Sequence, residues 1–307
     1  MSAPTTQHEE ANWAVDRATG LPEVWALVAA HLGLVGAWRL MRVCKAARVG
    51  AKDFLSTLPG LVVCGGYSGG VVLDVWRLDL ATLRWGARPA LVTARAGHAC
   101  CAVRGTLVVL GGSTATSNVH TSSVEMLSSE GGAFVDLPPL SCGGIAVEAS
   151  ESAAGQVLLL GGEMGAGAVS TVHLVDLATG VCTPGGPNLL RSRYIFAAAG
   201  LPGGGIVCAG GYGGVGGGSS AETWGPPVQG APDAAWSWRQ LPAMSVWRDG
   251  CGGCVMSDGR FAVLGGWSSG VGATSSCEAL AIGDTSPRRD VSFLVYYLSA
   301  LSFPVQN

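Results

Sequence analysis

Lysine is almost absent from this 307-residue chain, with two occurrences, Lys45 and Lys52. Charged residues make up 13%, about half the usual quarter, and the net charge is −3. A field this weak excludes nucleic acid or an anionic membrane surface as a partner drawn in by charge. No run approaches the roughly 20 continuous apolar residues of a membrane span. The opening MSAPTTQHEEANWAVDRATG lacks the basic, apolar, small-residue order of a secretory signal, so a cytoplasmic or nuclear location is expected. Histidine is scarce as well: the five are His8, His31, His98, His120 and His173. They form no cluster or Glu-x-x-His spacing suited to a metal. Cys251-Gly-Gly-Cys254 has no second pair spaced to complete a zinc site. The glycine tract Gly210–Gly218 is not followed by Gly-Lys-Ser/Thr, and no Gly-x-Ser-x-Gly elbow occurs. No catalytic residue, cofactor or metal is expected.

Glycine, by contrast, is abundant at 48 residues, and apolar residues reach 48%. Many short strands joined by tight turns suit that balance. Most of the ten cysteines fall inside apolar runs, as with Cys64 in LVVCGG and Cys208 in GIVCAGG, where a reduced thiol acts as a small core hydrophobe.

Five apolar runs end in glycine pairs: Gly65-Gly66, Gly111-Gly112, Gly161-Gly162, Gly210-Gly211 and Gly265-Gly266. Their intervals of 46, 50, 49 and 55 residues, obtained by subtracting neighbouring first glycines, set a period near 50. Each run is long enough for one buried strand, and each pair marks backbone at positive φ or in close approach. Other features keep the same phase. Arg95, Arg193 and Arg248 stand 16 or 17 residues ahead of a pair. Glu125, Glu222 and Glu278 follow in SSVEML, SSAETW and SSCEAL. Asp-Leu-Ala-Thr recurs at 79–82 and 176–179, and Leu-Pro at LPPL (137–140) and WRQLPAM (238–244). The three arginines are expected to pair with the three glutamates inside the repeat array.

This pattern resembles the kelch family over residues 60–282. Trp85, Trp236 and Trp238 match its tryptophan phase, and Cys182 replaces it in the third repeat. The resemblance implies an all-β fold, a kelch β-propeller of about five four-stranded blades, the last atypical. A unit of four strands is too small to bury both faces, so the units stack radially. The first repeat begins at its diglycine strand and takes its first strand from elsewhere. The segment 283–307 lacks the Trp and Leu-Pro phases. Its VSFLVYY (291–297) is either a closing strand, a divergent end, or a gene-model artefact leaving an incomplete ring. Some kelch-like propellers, the galactose-oxidase relatives, are copper enzymes, but the histidine supply here is thin for that.

Residues 20–56 show no strand alternation. Pro22 and Glu23 suit a helix start, and Val24, Leu27, Val28 and Leu32 follow at helical spacing. Gly33 and Gly36 are expected to break this helix, with a second from about Trp38 carrying Leu40, Val43 and Cys44 on one face. Its basic stripe is read as a solvated face. The phases Leu21-Pro22-Glu23, Leu32 and Leu40-x-x-Val43-Cys44-Lys45 resemble an F-box, preceded by a tail at 1–19. That resemblance implies docking on a Skp-type adaptor of cullin–RING ubiquitin ligases through Leu21, Pro22, Leu32, Leu40, Val43 and Cys44. The alternative is a helical cap on the propeller.

Together these readings describe a non-catalytic subunit that brings a protein substrate to a ligase. A kelch scaffold without ligase attachment is the alternative. The substrate would meet the loops that follow each diglycine and lead into each first strand. Those loops carry Tyr67, Tyr212, Trp267, Arg191, Tyr194 and Trp247, of the aromatic and arginine types that dominate binding hot spots.

Overall fold

A computed structural model of the chain describes residues 17–58, 61–114, 120–128, 132–142, 148–151, 156–164, 167–201, 204–213, 217–226, 235–256, 259–268, 270 and 272–282. The segment 283–307, including VSFLVYY, lies outside these described residues. The chain divides into two compact units, one of residues 1–62 and 76–87, the other of residues 63–75 and 88–307.

In the first unit, α1 (Pro22–Leu40) and α2 (Lys45–Thr57) pack as a pair. α1 kinks at Gly33 (φ 71°, ψ −172°) but continues helically through Gly36 to Leu40. Gly33 thus breaks the helix as expected, Gly36 does not, and the stretch beyond Gly33 runs to Leu40 before α2 starts at Lys45. Residues 41–43 form a turn, and Cys44 caps α2 by accepting the Ala47 N–H at 3.3 Å. At Gly50 the helices approach so closely that a Cβ would overlap the Pro22 carbonyl and Trp25. Ala29, Ala37, Leu40, Ala51 and Leu55 make the core, joined by Trp38, Leu80 and Ala81. Trp38 Nε1 donates to the Leu80 carbonyl at 2.8 Å.

Besides a 3-10 turn at Gly217–Ser219, the remaining elements among the described residues are strands in five main sheets and two two-stranded ribbons, which make up five successive propeller blades. The first contains β1 (Leu61–Cys64), β2 (Val75–Asp79) and β3 (Arg84–Arg88). The second runs β4 (Ala99–Val103), β5 (Thr106–Leu110), β6 (Val124–Leu127) and β7 (Phe134–Leu137). The third holds β8 (Glu148–Glu151) and β9 (Val157–Leu160), a ribbon of β10 (Glu163–Met164) and β11 (Gly167–Ala168), then β12 (Val172–Val175) and β13 (Cys182–Pro184). The fourth is β14 (Ala197–Gly200), β15 (Ile206–Ala209), β16 (Ala221–Gly225) and β17 (Ser237–Leu241). The fifth comprises β18 (Gly252–Val255), β19 (Phe261–Leu264), a ribbon of β20 (Trp267–Ser268) and β21 (Gly272–Ala273), and β22 (Cys277–Leu280). Among the described residues the first and last main sheets have three strands and the others four. Inner strands β4, β8, β14 and β18 are consecutive neighbours, and apolar clusters fill the spaces between blades.

One polar device repeats from blade to blade. Arg95 Nη1 donates to the Gly111 carbonyl at 2.8 Å and Arg95 Nη2 to Glu125 at 2.5 Å. Arg193 does the same with Gly210 (2.7 Å) and Glu222 (2.8 Å), and Arg248 with Gly265 (2.8 Å) and Glu278 (3.2 Å). Each glutamate also accepts backbone N–H groups just upstream of its arginine: Val92 and Thr93, Leu190, and Ser245 and Val246. The arginine's own carbonyl faces the preceding blade, where it accepts the N–H of Gly66, Gly162 or Gly211 at 2.8 Å. All ten paired glycines have positive φ. A Cβ on Gly161 would stand 2.5 Å from the Arg193 carbonyl oxygen, well inside contact distance, so this position needs glycine for both its φ and its space. The recurring Asp-Leu-Ala-Thr is an Asx turn: Asp79 Oδ1 accepts the N–H of Ala81 and Thr82, and Asp176 Oδ1 that of Ala178.

Replacing Gly161 with Val should destabilise the fold by well over the ~1 kcal/mol of ordinary glycine propensity. A thermal melt within a degree of the parent would contradict that expectation. Glu278 supplies a pH test. Burial works to raise its carboxyl pKa, but the Ser245 hydrogen bonds and the Arg248 guanidinium outweigh burial and hold it below the ordinary value. A carboxyl depressed on folding stabilises the fold above its unfolded pKa and loses that contribution as pH falls through the folded pKa. Glu278→Gln should therefore melt below the parent at neutral pH, with the gap closing in acid below about pH 4.5. A gap that is constant with pH would show that the ion pair is not its source.

Candidate functional site

Two surfaces gather the side chains singled out in the sequence. On the helical unit, Leu21 precedes α1 and Pro22 occupies its first turn, where the missing N–H is harmless. The turn after α1 folds back beside them. An open groove of about 680 Å³ results, lined by Pro22, Trp25, Val43, Cys44 and Val49 among others. Val43 is 60% exposed and Leu32, at the far end of the first helical stretch, 52%. Leu21, Leu27 and Val35 are also exposed. Leu40 differs: it is 8% exposed and belongs to the core of the helix pair. The helical stretch after Gly33 ends at Leu40 and leaves Val43 in the turn and Cys44 at the cap of α2, so the three do not share a helix face.

The second surface is set by the blade register. In three blades the residue after the repeat arginine forms an antiparallel bridge with the residue after the diglycine: Ala96 with Ser113, Tyr194 with Tyr212, Asp249 with Trp267. The Tyr194 and Tyr212 backbones exchange hydrogen bonds at 2.9 Å, and their rings meet edge to face at 5.5 Å. Tyr212 also stands 6.3 Å from Trp247, whose indole lies directly over Gly218, where any Cβ would collide with it. Trp247 is 37% exposed, Trp267 56%, and Tyr212 is exposed too. The structure thus joins Tyr194, Tyr212 and Trp247 into one aromatic row. Arg191 is half-buried on the loop leading to Arg193. Tyr67 holds the same post-diglycine position in the first blade, exposed and bridged to Val71 of its own turn.

Two carboxylates join this surface that the sequence did not single out. Glu163 follows the third diglycine and stands 3.6 Å from His120 Nε2. Asp249 follows Arg248, and burial raises its carboxyl above the ordinary range. Both act on Tyr194: its phenol is pushed up to about 12 by burial first, then by Glu163, Tyr212 and Asp249. The signal that would have found them is their register, since they occupy the positions that hold Tyr212, Trp267 and Tyr194 elsewhere in the repeat.

The buried arginines are committed to the framework and are not part of either surface. Cys251 sits in the core between the fourth and fifth blades, where burial pushes its thiol up to about 12. Cys254 lies on β18. Among the described residues no helix is long and apolar enough to cross a membrane.

Comparison with known proteins agrees with the register. The family model described as Kelch motif matches residues 94–141, which hold the whole second blade from Arg95 through Gly111-Gly112 and Glu125 to Leu140. A stretch of 92 residues is 33% identical to the F-box/kelch-repeat protein SKIP30 of Arabidopsis thaliana, covering 28% of this chain and 26% of that protein. The chain thus spans about a quarter of the length of that relative. The Kelch motif is thus matched over one blade, and the same arginine, diglycine and glutamate recur in the fourth and fifth blades.

Proposed function

We propose that this chain is a non-catalytic recruitment subunit in which the helical unit docks on a Skp-type adaptor of a cullin–RING ubiquitin ligase and the aromatic row captures a protein substrate. The observation that carries this reading is the pairing of two exposed surfaces of different chemistry on the chain's two units. The groove of Pro22, Val43 and Val49 has the apolar lining a docked partner would bury. The row of Tyr194, Tyr212 and Trp247 presents large area at little cost in side-chain entropy. Its flanking carboxylates, Glu163 and Asp249, favour a segment bearing lysine or arginine. The printed name of the Arabidopsis thaliana relative, F-box/kelch-repeat protein, pairs the same two elements. Leu21, Pro22, Leu32, Val43 and Cys44 form the adaptor side of the proposal; Tyr212, Trp247, Trp267, Tyr194, Arg191 and Tyr67 form the substrate side. A cytoplasmic or nuclear location accords with a ligase subunit.

The second reading, a kelch interaction scaffold without ligase attachment, is favoured by the extent of the family match, which lies wholly within the repeats.

Val43→Asp or Leu32→Asp should abolish co-purification of the adaptor and cullin from native cells while the thermal melt stays unchanged, because a charge in a desolvated apolar contact costs several kcal/mol. Undiminished adaptor capture by both variants would favour the scaffold reading. Tyr212→Ala and Trp247→Ala should each weaken capture of a substrate identified by such purification by ~1–2 kcal/mol, roughly tenfold in affinity. Normal binding by both would move substrate recognition to another face of the propeller.

A further inference from the structure

The junction around Cys64 departs from its counterpart later in the repeat. At each such junction three positions meet: the residue before the diglycine, the residue three beyond the repeat arginine, and the one two further on. Between the third and fourth blades these are Leu160, Phe196 and Ala198, all within one apolar cluster. At the first junction they are Cys64, His98 and Cys100, all buried. Cys64 Sγ lies 3.1 Å from Cys100 Sγ and 3.7 Å from His98 Nε2. The three donor atoms fall within 4.8 Å of one another. Gly65 makes room for the ring, since a Cβ there would stand 2.7 Å from His98 Cε1.

We propose that Cys64, His98 and Cys100 form a buried binding site for a thiophilic d10 cation, Cu(I), that staples the first diglycine strand to the second blade. Thiolate sulfur and imidazole nitrogen are donors that suit Cu(I) and zinc, leaving the number of ligands to choose between them. Structural zinc takes four ligands almost without exception, whereas this cluster supplies three among the described residues, enough for a trigonal Cu(I) centre. Metal–sulfur bonds of about 2.3 Å hold trigonal sulfurs about 4.0 Å apart, so the two thiols must part by about 0.9 Å, within reach of a modest side-chain rotation. Binding displaces both thiol protons and leaves a centre of net charge −1. The site is closed to solvent and distinct from the aromatic row, so the ion has a structural role.

The full chain, expressed in copper-replete and copper-starved cells and purified anaerobically under reducing conditions, tests this directly. Atomic emission should find one copper per chain in the replete preparation, retained against bicinchoninate, with no zinc. The copper-loaded protein should melt several degrees above the copper-starved one, because a ligand bound only to the folded state stabilises it. The triple variant Cys64→Leu, His98→Phe, Cys100→Ala takes the residues that pack well at the later junction. It should fold, hold no copper and melt at one temperature in both preparations. Cys142→Ser with Cys182→Ser, which removes a neighbouring pair of thiols packed against the second and third blades, should bind copper like the parent. The proposal is overturned if the parent holds no more copper than the triple variant. It is equally overturned if zinc is retained in copper's place, or if mass spectrometry of natively isolated protein finds Cys64 and Cys100 joined as a disulfide.

Discussion

The repeat arginine is the part on which the blades depend. Its carbonyl oxygen accepts the N–H of the second glycine in the preceding blade, while its guanidinium bonds the carbonyl of the first glycine in its own blade. One residue therefore ties two sheets together through both backbone and side chain. A buried guanidinium is tolerable only if its donors are satisfied and its charge is paired, which is the role of Glu125, Glu222 and Glu278. Each carboxylate in turn gathers the N–H groups of the loop leading into the arginine. The loop, the ion pair and the diglycine form a closed polar circuit embedded in otherwise apolar packing.

That circuit also explains where the exposed aromatics stand. Fixing the arginine and the diglycine fixes the residues immediately after them, and these pair across the blade as Tyr194 with Tyr212 and Asp249 with Trp267. The framework thus presents variable residues at a constant position, one blade after another. Ser113, Glu163, Tyr212 and Trp267 show how differently the same slot is filled. A rigid base with a changeable rim is what an interaction surface requires, because binding loses little free energy to ordering the side chains involved.

The helical unit follows another logic. Its core joins the small residues Ala29, Ala37 and Ala51 to Leu40 and Leu55, and Gly50 brings the helices into contact at the Pro22 carbonyl. Close backbone approach leaves the larger residues Leu27, Leu32, Val35 and Val43 outside. These four exposed side chains are apolar area left uncovered by the helix pair, which is the physical basis for proposing a partner.

Much of the repeat architecture was legible in the sequence, because a diglycine at positive φ, an Asx turn and a charged residue at fixed spacing are local requirements that leave local marks. The period near 50 residues follows from those marks alone. The helical unit was less legible: apolar spacing located α1 and Gly33 breaks it as expected, but the turn follows Leu40 and not Gly36, and Leu40 lies in the core of the helix pair. The tertiary structure also decided which distant residues meet. Glu163 and Asp249 are unremarkable in sequence and become part of a surface only when neighbouring blades bring them to Tyr194. Cys64 and Cys100, each reading as a core thiol inside its own strand, come within 3.1 Å because the stacking of one blade on the next superimposes positions 36 residues apart. Local backbone demands are written in the chain one repeat at a time, whereas contacts between repeats exist only once the blades are stacked.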